Sequence, residues 1–504
     1  MGKWIVCETA VFVNYIFSKE EKGFPLEGGE KLAYNVPRVT EGEGLPVRAV
    51  RNRLEKLLTT ELFTYPELRK MFLTLLLDSF FIFFIGVLSN MLVSRVGEAA
   101  MAATSLVGTV NGMISIIFTS LASGGAIAVA RAKGRGDNQE IKRAVGEVTG
   151  VCFLVALALS AGLYAGAETV VRALYPDVEP LVQEYAVRYM RMMCISFLPF
   201  SIFNAIFNIY RNLGDTRSSL LLTIVINLAH LFLSLLFING FQMGVAGAGL
   251  SYIVARTIGM VMALVWILWV RNDYGVRISY FFRFRPEVTR DIFSLGMPLA
   301  VESLLLQGGM LLVNVYLARL STMDMAAHAR ANSILNLYQA TSGALTSLVC
   351  TVCGQCFGAG KYDLLRSYGR NLIRVGRIAM ALTSLILYPL TPLLLQMYSV
   401  PPESVSMIYL CLAIGAVGLP LFACDSNMTA MILRVAGDGA FTGACAVIAL
   451  AAGRCALGYV LTIPFGLGVP GIWIALVVEW ILRAVAQHLR MRGDRWLHVK
   501  SAHA

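Results

Sequence analysis

The sequence predicts an all-α polytopic membrane protein, with twelve transmembrane helices in two six-helix lobes related by a pseudo-twofold axis. Three observations carry this reading. The 504 residues are 57% apolar and only 14% charged, with a mean hydropathy of +0.68. Soluble domains carry about 25% charged residues, so too few are present to coat a surface of this size with charge. Apolar runs long enough to cross a bilayer, about 20 residues each, recur along the chain. Finally, a polar phrase, "IYRNLGDTRSS" at 209–219, is echoed by "ILRVAGD" at 432–438.

The spans follow in order. The first is read near 71–93, after Lys70 and before the corner "SRVGE"; the second, near 99–130, is stopped by "RAKGRGD". The third (144–166) precedes the charge-poor "ETVVRALYPDVEP", and the fourth (185–209) ends at "YRNLGDTR". The fifth (218–239) and sixth (244–270) flank "INGFQ", and the sixth closes on Trp266 and Trp269, read as interfacial anchors. Six more are read near 291–318, 324–356, 372–395, 406–432, 440–463 and 468–489.

Lys and Arg gather in the connections after the even-numbered spans and in the tail "LRMRGDRWLHVK". By the positive-inside rule, both termini and these loops are expected to be cytoplasmic. The net charge of +11 reports that asymmetry, and nucleic-acid binding is not expected. Residues 1–68 form a mixed-charge cytoplasmic extension without a recognisable cleavable signal. Within it, "VRAVRNRLEKLL" (47–58) suits a helix on the inner membrane surface or a plain linker. Cys350, Cys353 and Cys356 have the spacing of part of a cluster motif, but lie in an apolar helix with no fourth Cys placed to complete the set, so packing is expected and no metal site.

The echo belongs to a duplication. At an offset of 223 or 224, Arg211, Gly214 and Asp215 fall on Arg434, Gly437 and Asp438, and "SRVGEAAMAATS" (94–105) falls on "ARLSTMDMAAHA" (318–329). Six helices per repeat put both halves in the same orientation, the parallel-repeat plan of secondary transporters. The expected organisation is 69–270 as the N-lobe, 271–290 as a cytoplasmic interlobe linker, 291–490 as the C-lobe and 491–504 as a cytoplasmic tail.

Several stretches resemble the multidrug and toxic compound extrusion (MATE) transporters. They are "SRVGEAAMAATS", "AAHARANSILNLYQATSGALTSLVCTVCGQCFGAGKYD", "YRNLGDTR", "GVAGAGLSY" and "GRCALGYVLTIPFGLGVPGIWIAL", and the likeness covers roughly 68–490. The resemblance implies a V-shaped transporter around a central cavity, exporting amphipathic, cationic drugs or metabolites in exchange for H⁺ or Na⁺. It is expected to act as a monomer in the plasma membrane, with a small molecule as substrate. A lipid-substrate flippase of the same superfamily is the alternative. Two departures stand out: the family's N-lobe carboxylates, in the first and fifth helices, correspond here to Ser89 and Leu231.

Ionisable residues inside a span cost about 2.5–3.5 kcal/mol on insertion scales, so each one requires a reason. Asp78 falls on Glu302 at the 224 offset, and Asn90 on Asn314. The two carboxylates either bind a cation, take up a proton or line the inner vestibule, or else each pairs with a neighbour or holds the closed bundle together. Arg454 calls for a carboxylate, Asp425 or Glu302 being the same-lobe choices, and Glu479 can pair with Arg483 one turn away. Asn204 and Asn427 occupy matching positions and either bridge helices or line the cavity. Asn227 and His230 stand beside the missing helix-five acid; His230 either carries a proton or is packed, and His328 is read as structural. Arg211, Gly214, Asp215 and their counterparts Arg434, Gly437 and Asp438 are read as turns, with Gly supplying positive φ and Asp capping the next helix. No phosphate-binding loop or clustered His–carboxylate set appears, so an enzyme is not expected.

Overall fold

The computed structural model describes residues 58–93, 98–176, 178–397 and 402–493, together with Asn52, Glu55, Trp496 and Leu497. The expectations for residues 1–51, and all but three positions of the 47–58 segment, lie outside the described residues. Twelve long helical rods cross the described chain. They are α1 (Tyr65–Val93), α2 (Glu98–Arg135), α3 (Asn138–Ala165), α4 (Pro180–Leu213), α5 (Thr216–Gly240) and α6 (Gly244–Val270). Then come α7 (Pro286–Leu317), α8 (Thr322–Gly358), α9 (Tyr362–Leu387), α10 (Glu403–Ala436), α11 (Gly439–Thr462) and α12 (Gly468–Arg492). Among the described residues ten rods are long and apolar enough to cross a membrane; the first turns of α9 carry Asp363, Arg366, Arg370, Arg374 and Arg377.

Local chemistry explains where the rods begin and end. Proline occupies the first turn of α4 and α7, where its missing N–H costs nothing. Asp137 caps α3 through bonds from the Gln139 and Glu140 amides, and Ser321 caps α8 through the Asp324 amide. Replacing Asp137 with Ala is expected to cost about 1 kcal/mol of stability, measurable as a small drop in the detergent melting temperature with transport intact. Four rods contain π-helical turns, Leu235–Gly240, Trp266–Val270, Leu419–Ala423 and Leu450–Leu457.

The ninth span differs from its expected bounds of 372–395. The helix begins ten residues earlier because its basic first turns are amphipathic: Leu365, Tyr368, Leu372, Ile373 and Gly376 are buried, while Arg370 and Arg374 are exposed. It stops at Leu387 because Pro389 follows; a separate short helix, Thr391–Met397, comes next.

Packing repeats between the first six rods and the second six. In the first set α1 packs on α5, α2 on α3 and α4, and α6 on α4 and α5. The second set repeats each pairing six rods later, α7 on α11, α8 on α9 and α10, and α12 on α10 and α11. Between the sets, α2 meets α7 as α8 meets α1, and α2 meets α8. These contacts draw Arg53–Ala504 into one compact unit rather than two separable ones.

Two connections reach across the repeat. The segment before α1 lies on α9, with Thr60 Oγ1 2.5 Å from the Tyr368 hydroxyl and Phe63 edge-on to its ring. The Lys361 ammonium, bonded to Glu61, holds that exposed carboxyl below the usual range. The connection from α6 to α7 folds a 3₁₀ turn, Ile278–Phe282, onto α3. Only glycine fits beneath it: a Cβ on Gly150 would fall 1.8 Å from the Phe281 carbonyl oxygen, and one on Gly146 2.4 Å from Tyr280 Cβ.

Candidate functional site

Asp78 on α1 and Glu302 on α7 are both buried, at 1% and 3% exposure. Each faces the arginine that stands at the end of the matching helix. Arg211, from α4, lies 3.8 Å from the Asp78 carboxylate, with Thr223 of α5 beside it. Arg434, from α10, donates from one Nη to both Glu302 oxygens at 2.6 Å and from Nε to Thr442 Oγ1. The two pairs are equivalent under the repeat. The sequence reading matched the two acids and treated the two arginines as turn residues, missing that the same offset matches the pairs whole.

The second set extends its pair into a network. Arg483 of α12 lies 4.0 Å from Glu302 and 3.4 Å from Glu479, and Arg454 of α11 lies 2.6 Å from Glu479. Arg454 was expected to find Asp425 or Glu302; its partner is instead Glu479, one helix over. The reason is local: Arg454 lies in the π-helical turn Leu450–Leu457, and Gly453, one residue before it, packs against the Glu479 backbone. Asp425 pairs with Arg377 of α9 at 2.8 Å and with His488 of α12 at 3.7 Å. Three arginines and two glutamates therefore interleave among α7, α10, α11 and α12.

The asparagines bridge helices symmetrically. Asn204 donates to Thr119 Oγ1 at 3.0 Å, joining α4 to α2, and Asn427 donates to Ser342 Oγ at 3.2 Å, joining α10 to α8. Asn227 donates back to the Thr223 carbonyl on its own helix. His230 packs on the Tyr252 ring at 4.1 Å, and Arg256 stacks on Phe200 and Tyr252 while donating to Ser196. Asn314 is exposed near the far end of α7, away from the ion pairs, and the Asn90 side chain lies outside the described residues. Gly214 and Gly437 take the left-handed conformation, with φ of +85° and +101°. Asp215 caps α5 through Ser218, whereas Asp438, expected to do the same for α11, accepts from Arg490 at 2.7 Å instead. Trp269 is exposed, as an interfacial anchor would be, while Trp266 donates to Ser218. Cys350, Cys353 and Cys356 are buried in a core that α8 shares with α1 and α2 as well as with the second set.

At the end of the molecule that carries Gly214 and Gly437, the two sets are locked together. Arg131 of α2 donates from Nε to the Val435 carbonyl of α10 at 3.0 Å, and Gln355 of α8 donates to the Asn212 carbonyl of α4 at 3.2 Å. Residues 131 and 355 are 224 apart, and 212 and 435 are 223 apart, so this too is a symmetric pair. Between them α2 and α8 touch backbone to backbone: a Cβ on Gly134 would fall 2.1 Å from the Gln355 oxygen, and one on Gly358 2.0 Å from the Arg131 oxygen. Further along, both helices open one face. Ser105, Thr109, Gly112 and Thr119 on α2 recur, 224 residues on, as Ala329, Ser333, Asn336 and Gly343 on α8. Past Thr119 and Ser347, toward the locked end, both helices are almost wholly enclosed.

Duplicated apolar rods, mirrored buried ion pairs and matching open faces of small and polar residues define a duplicated, multi-pass helical membrane protein. The chain belongs to the MatE family, which it matches twice, over residues 75–236 and 298–460, at the offset of the repeat. It is 22% identical over 428 residues to the uncharacterized transporter YisQ of Bacillus subtilis, covering 82% of this chain and 91% of that one. The probable multidrug resistance protein NorM of Thermotoga maritima is 21% identical, with 86% and 94% covered. Among solved structures, MATE in complex with MaL6 superposes with a TM-score of 0.78 at 18% identity, covering 85% of this chain and 96% of that one. A superfamily transporter from Pyrococcus furiosus superposes at 0.76 and 17%, with 86% and 96% covered.

Proposed function

We propose that this protein is a secondary active transporter that exports amphipathic, cationic drugs or metabolites through alternating access of two six-helix lobes. The observation that carries the reading is the pair of open faces of small and polar residues on α2 and α8, with symmetric interlobe bonds closing the helices together at one end. The lobes are α1–α6 and α7–α12, all twelve rods span the plasma membrane, and the sealed end, rich in Lys and Arg, is cytoplasmic with both termini. The protein works as a monomer, and H⁺ or Na⁺ is the coupling ion. One cation falling through about 100 mV supplies roughly 2.3 kcal/mol, enough for a substrate gradient of about fifty-fold.

The coupling site is assigned to the buried carboxylates. Asp78 and Glu302 each hold an arginine from the cytoplasmic end of a neighbouring helix, so a proton or cation arriving at the carboxylate competes with that guanidinium. The test is uptake of a cationic dye into inverted vesicles under an imposed H⁺ or Na⁺ gradient. Asp78→Asn and Glu302→Gln are each expected to lower gradient-driven uptake at least tenfold; unchanged uptake in both would refute the assignment.

A flippase for a lipid-linked or amphipathic substrate is the second reading. Its support is the surplus guanidinium of the Arg434–Glu302–Arg483–Glu479–Arg454 network. A fold neighbour from Pyrococcus furiosus is itself described as having a binding pocket of reverse polarity that suggests a different function. Gradient-independent movement of a lipid analogue in the same vesicles would promote this reading.

A further inference from the structure

On the outer flank of the first helix set, α3, α6 and the 3₁₀ turn of the connection enclose a groove of about 460 Å³, within the range of small-molecule sites. Its walls are Phe153 of α3, Val261, Val265 and Trp269 of α6, and Ile278 and Phe282 of the turn, with almost no polar surface. Trp269, Phe282 and Ile278 are 70%, 61% and 54% exposed, so large apolar side chains stand open at the mouth. At the same end of the groove the chain places Arg271 two residues after Trp269, Arg277 immediately before Ile278 and Arg283 immediately after Phe282. All three are exposed, and none has an ion-pair partner within 4.0 Å among the described residues.

An apolar slot between membrane helices, whose lining residues are flanked in the chain by three exposed arginines at the basic end, matches one class of ligand. The slot takes hydrocarbon, and the arginines take a phosphate, for which the guanidinium offers paired donors at fixed geometry. We propose that this groove binds an anionic phospholipid of the cytoplasmic leaflet, with an acyl chain between α3, α6 and residues 278–282 and the phosphate on Arg271, Arg277 and Arg283. Seated there, the lipid fastens the connection between the two helix sets to α3, where Gly146 and Gly150 already admit it. The proposal does not depend on which substrate is carried.

The experiment is native mass spectrometry of the full chain in detergent, titrated with phosphatidylglycerol, with phosphatidylcholine of the same chains, and with glycerophosphoglycerol lacking chains. Phosphatidylglycerol is expected to be retained at least tenfold more tightly than either. Each basic residue near an anionic surface contributes roughly fivefold, so Arg271→Gln/Arg277→Gln/Arg283→Gln is expected to remove most of that preference. Val265→Trp, which fills the slot and leaves the arginines in place, is expected to weaken both phospholipids tenfold or more. Equal retention of the two phospholipids, or unchanged binding in both variants, would overturn the proposal. Binding of the chain-free headgroup as tight as that of the phospholipid would do the same, pointing to a free phosphate-bearing ligand.

Discussion

Arg434→Gln is expected to destabilise the protein by about 3–5 kcal/mol, the usual consequence of leaving one member of a buried ion pair alone. Glu302 is 3% exposed and accepts two bonds at 2.6 Å from Arg434; its remaining cation, Arg483, is 4.0 Å away and shared with Glu479. Without Arg434 the carboxylate keeps its desolvation cost and loses its main compensation. The double variant Glu302→Gln/Arg434→Gln should recover most of the loss, because two neutral amides in contact bury no charge. Arg172→Gln offers the contrast. Its side chain and that of its partner Glu168 are both open to water, so a loss of about 1 kcal/mol or less is expected. The measurement is the melting temperature in detergent for all four proteins. An Arg434→Gln protein as stable as the double variant would show that the pair does not hold the second set together.

The pairing of Glu302 with Arg434 also marks how far the sequence could be read. Membrane class, helix order and duplication were legible because each leaves a one-dimensional trace: apolar run length, loop charge and a fixed offset. The matching depth of Asp78 and Glu302 followed from that offset, and so did the matching of Asn204 with Asn427; that both bridge helices came from the structure. What was not legible depends on direction around a helix. Arg454 turns to Glu479 because a π-helical turn carries it there, and nothing in "AAGRCALG" marks that turn. The basic start of α9 was missed because a search for apolar runs passes over an amphipathic helix whose buried stripe is interrupted by arginine. Asp438 faced the same limit: the Gly-Asp pattern allows a cap, and Arg490, fifty-two residues away, claims the side chain instead.

Gly358→Val is expected to break the seal between the two helix sets. The new Cβ would stand 2.0 Å from the Arg131 carbonyl oxygen, a backbone atom of α2 that no rotamer change can move aside. Overpacking of this kind typically costs about 1–3 kcal/mol. That strain acts only while α2 and α8 are in contact, so it shifts the sealed-to-open equilibrium by roughly five- to 150-fold. The separation also pulls Arg131 from the Val435 carbonyl and Gln355 from the Asn212 carbonyl, because all four groups surround the same crossing. Cys350 is a native reporter. It lies on α8 among Arg131, Arg211 and Arg434 and is 5% exposed, so a maleimide reaches it only when the sets part. Peptide mapping after labelling should show Cys350 modified at least tenfold faster in Gly358→Val than in the wild type. Gly134→Val, the symmetric change against the Gln355 oxygen, should give the same result. Gly343→Val serves as the control, since the nearest neighbour of its Cβ is Ser79 Oγ at 4.0 Å and the helix is open there. Protection of Cys350 in folded Gly358→Val and Gly134→Val equal to that in the wild type would mean that the glycine crossing is not what closes this end.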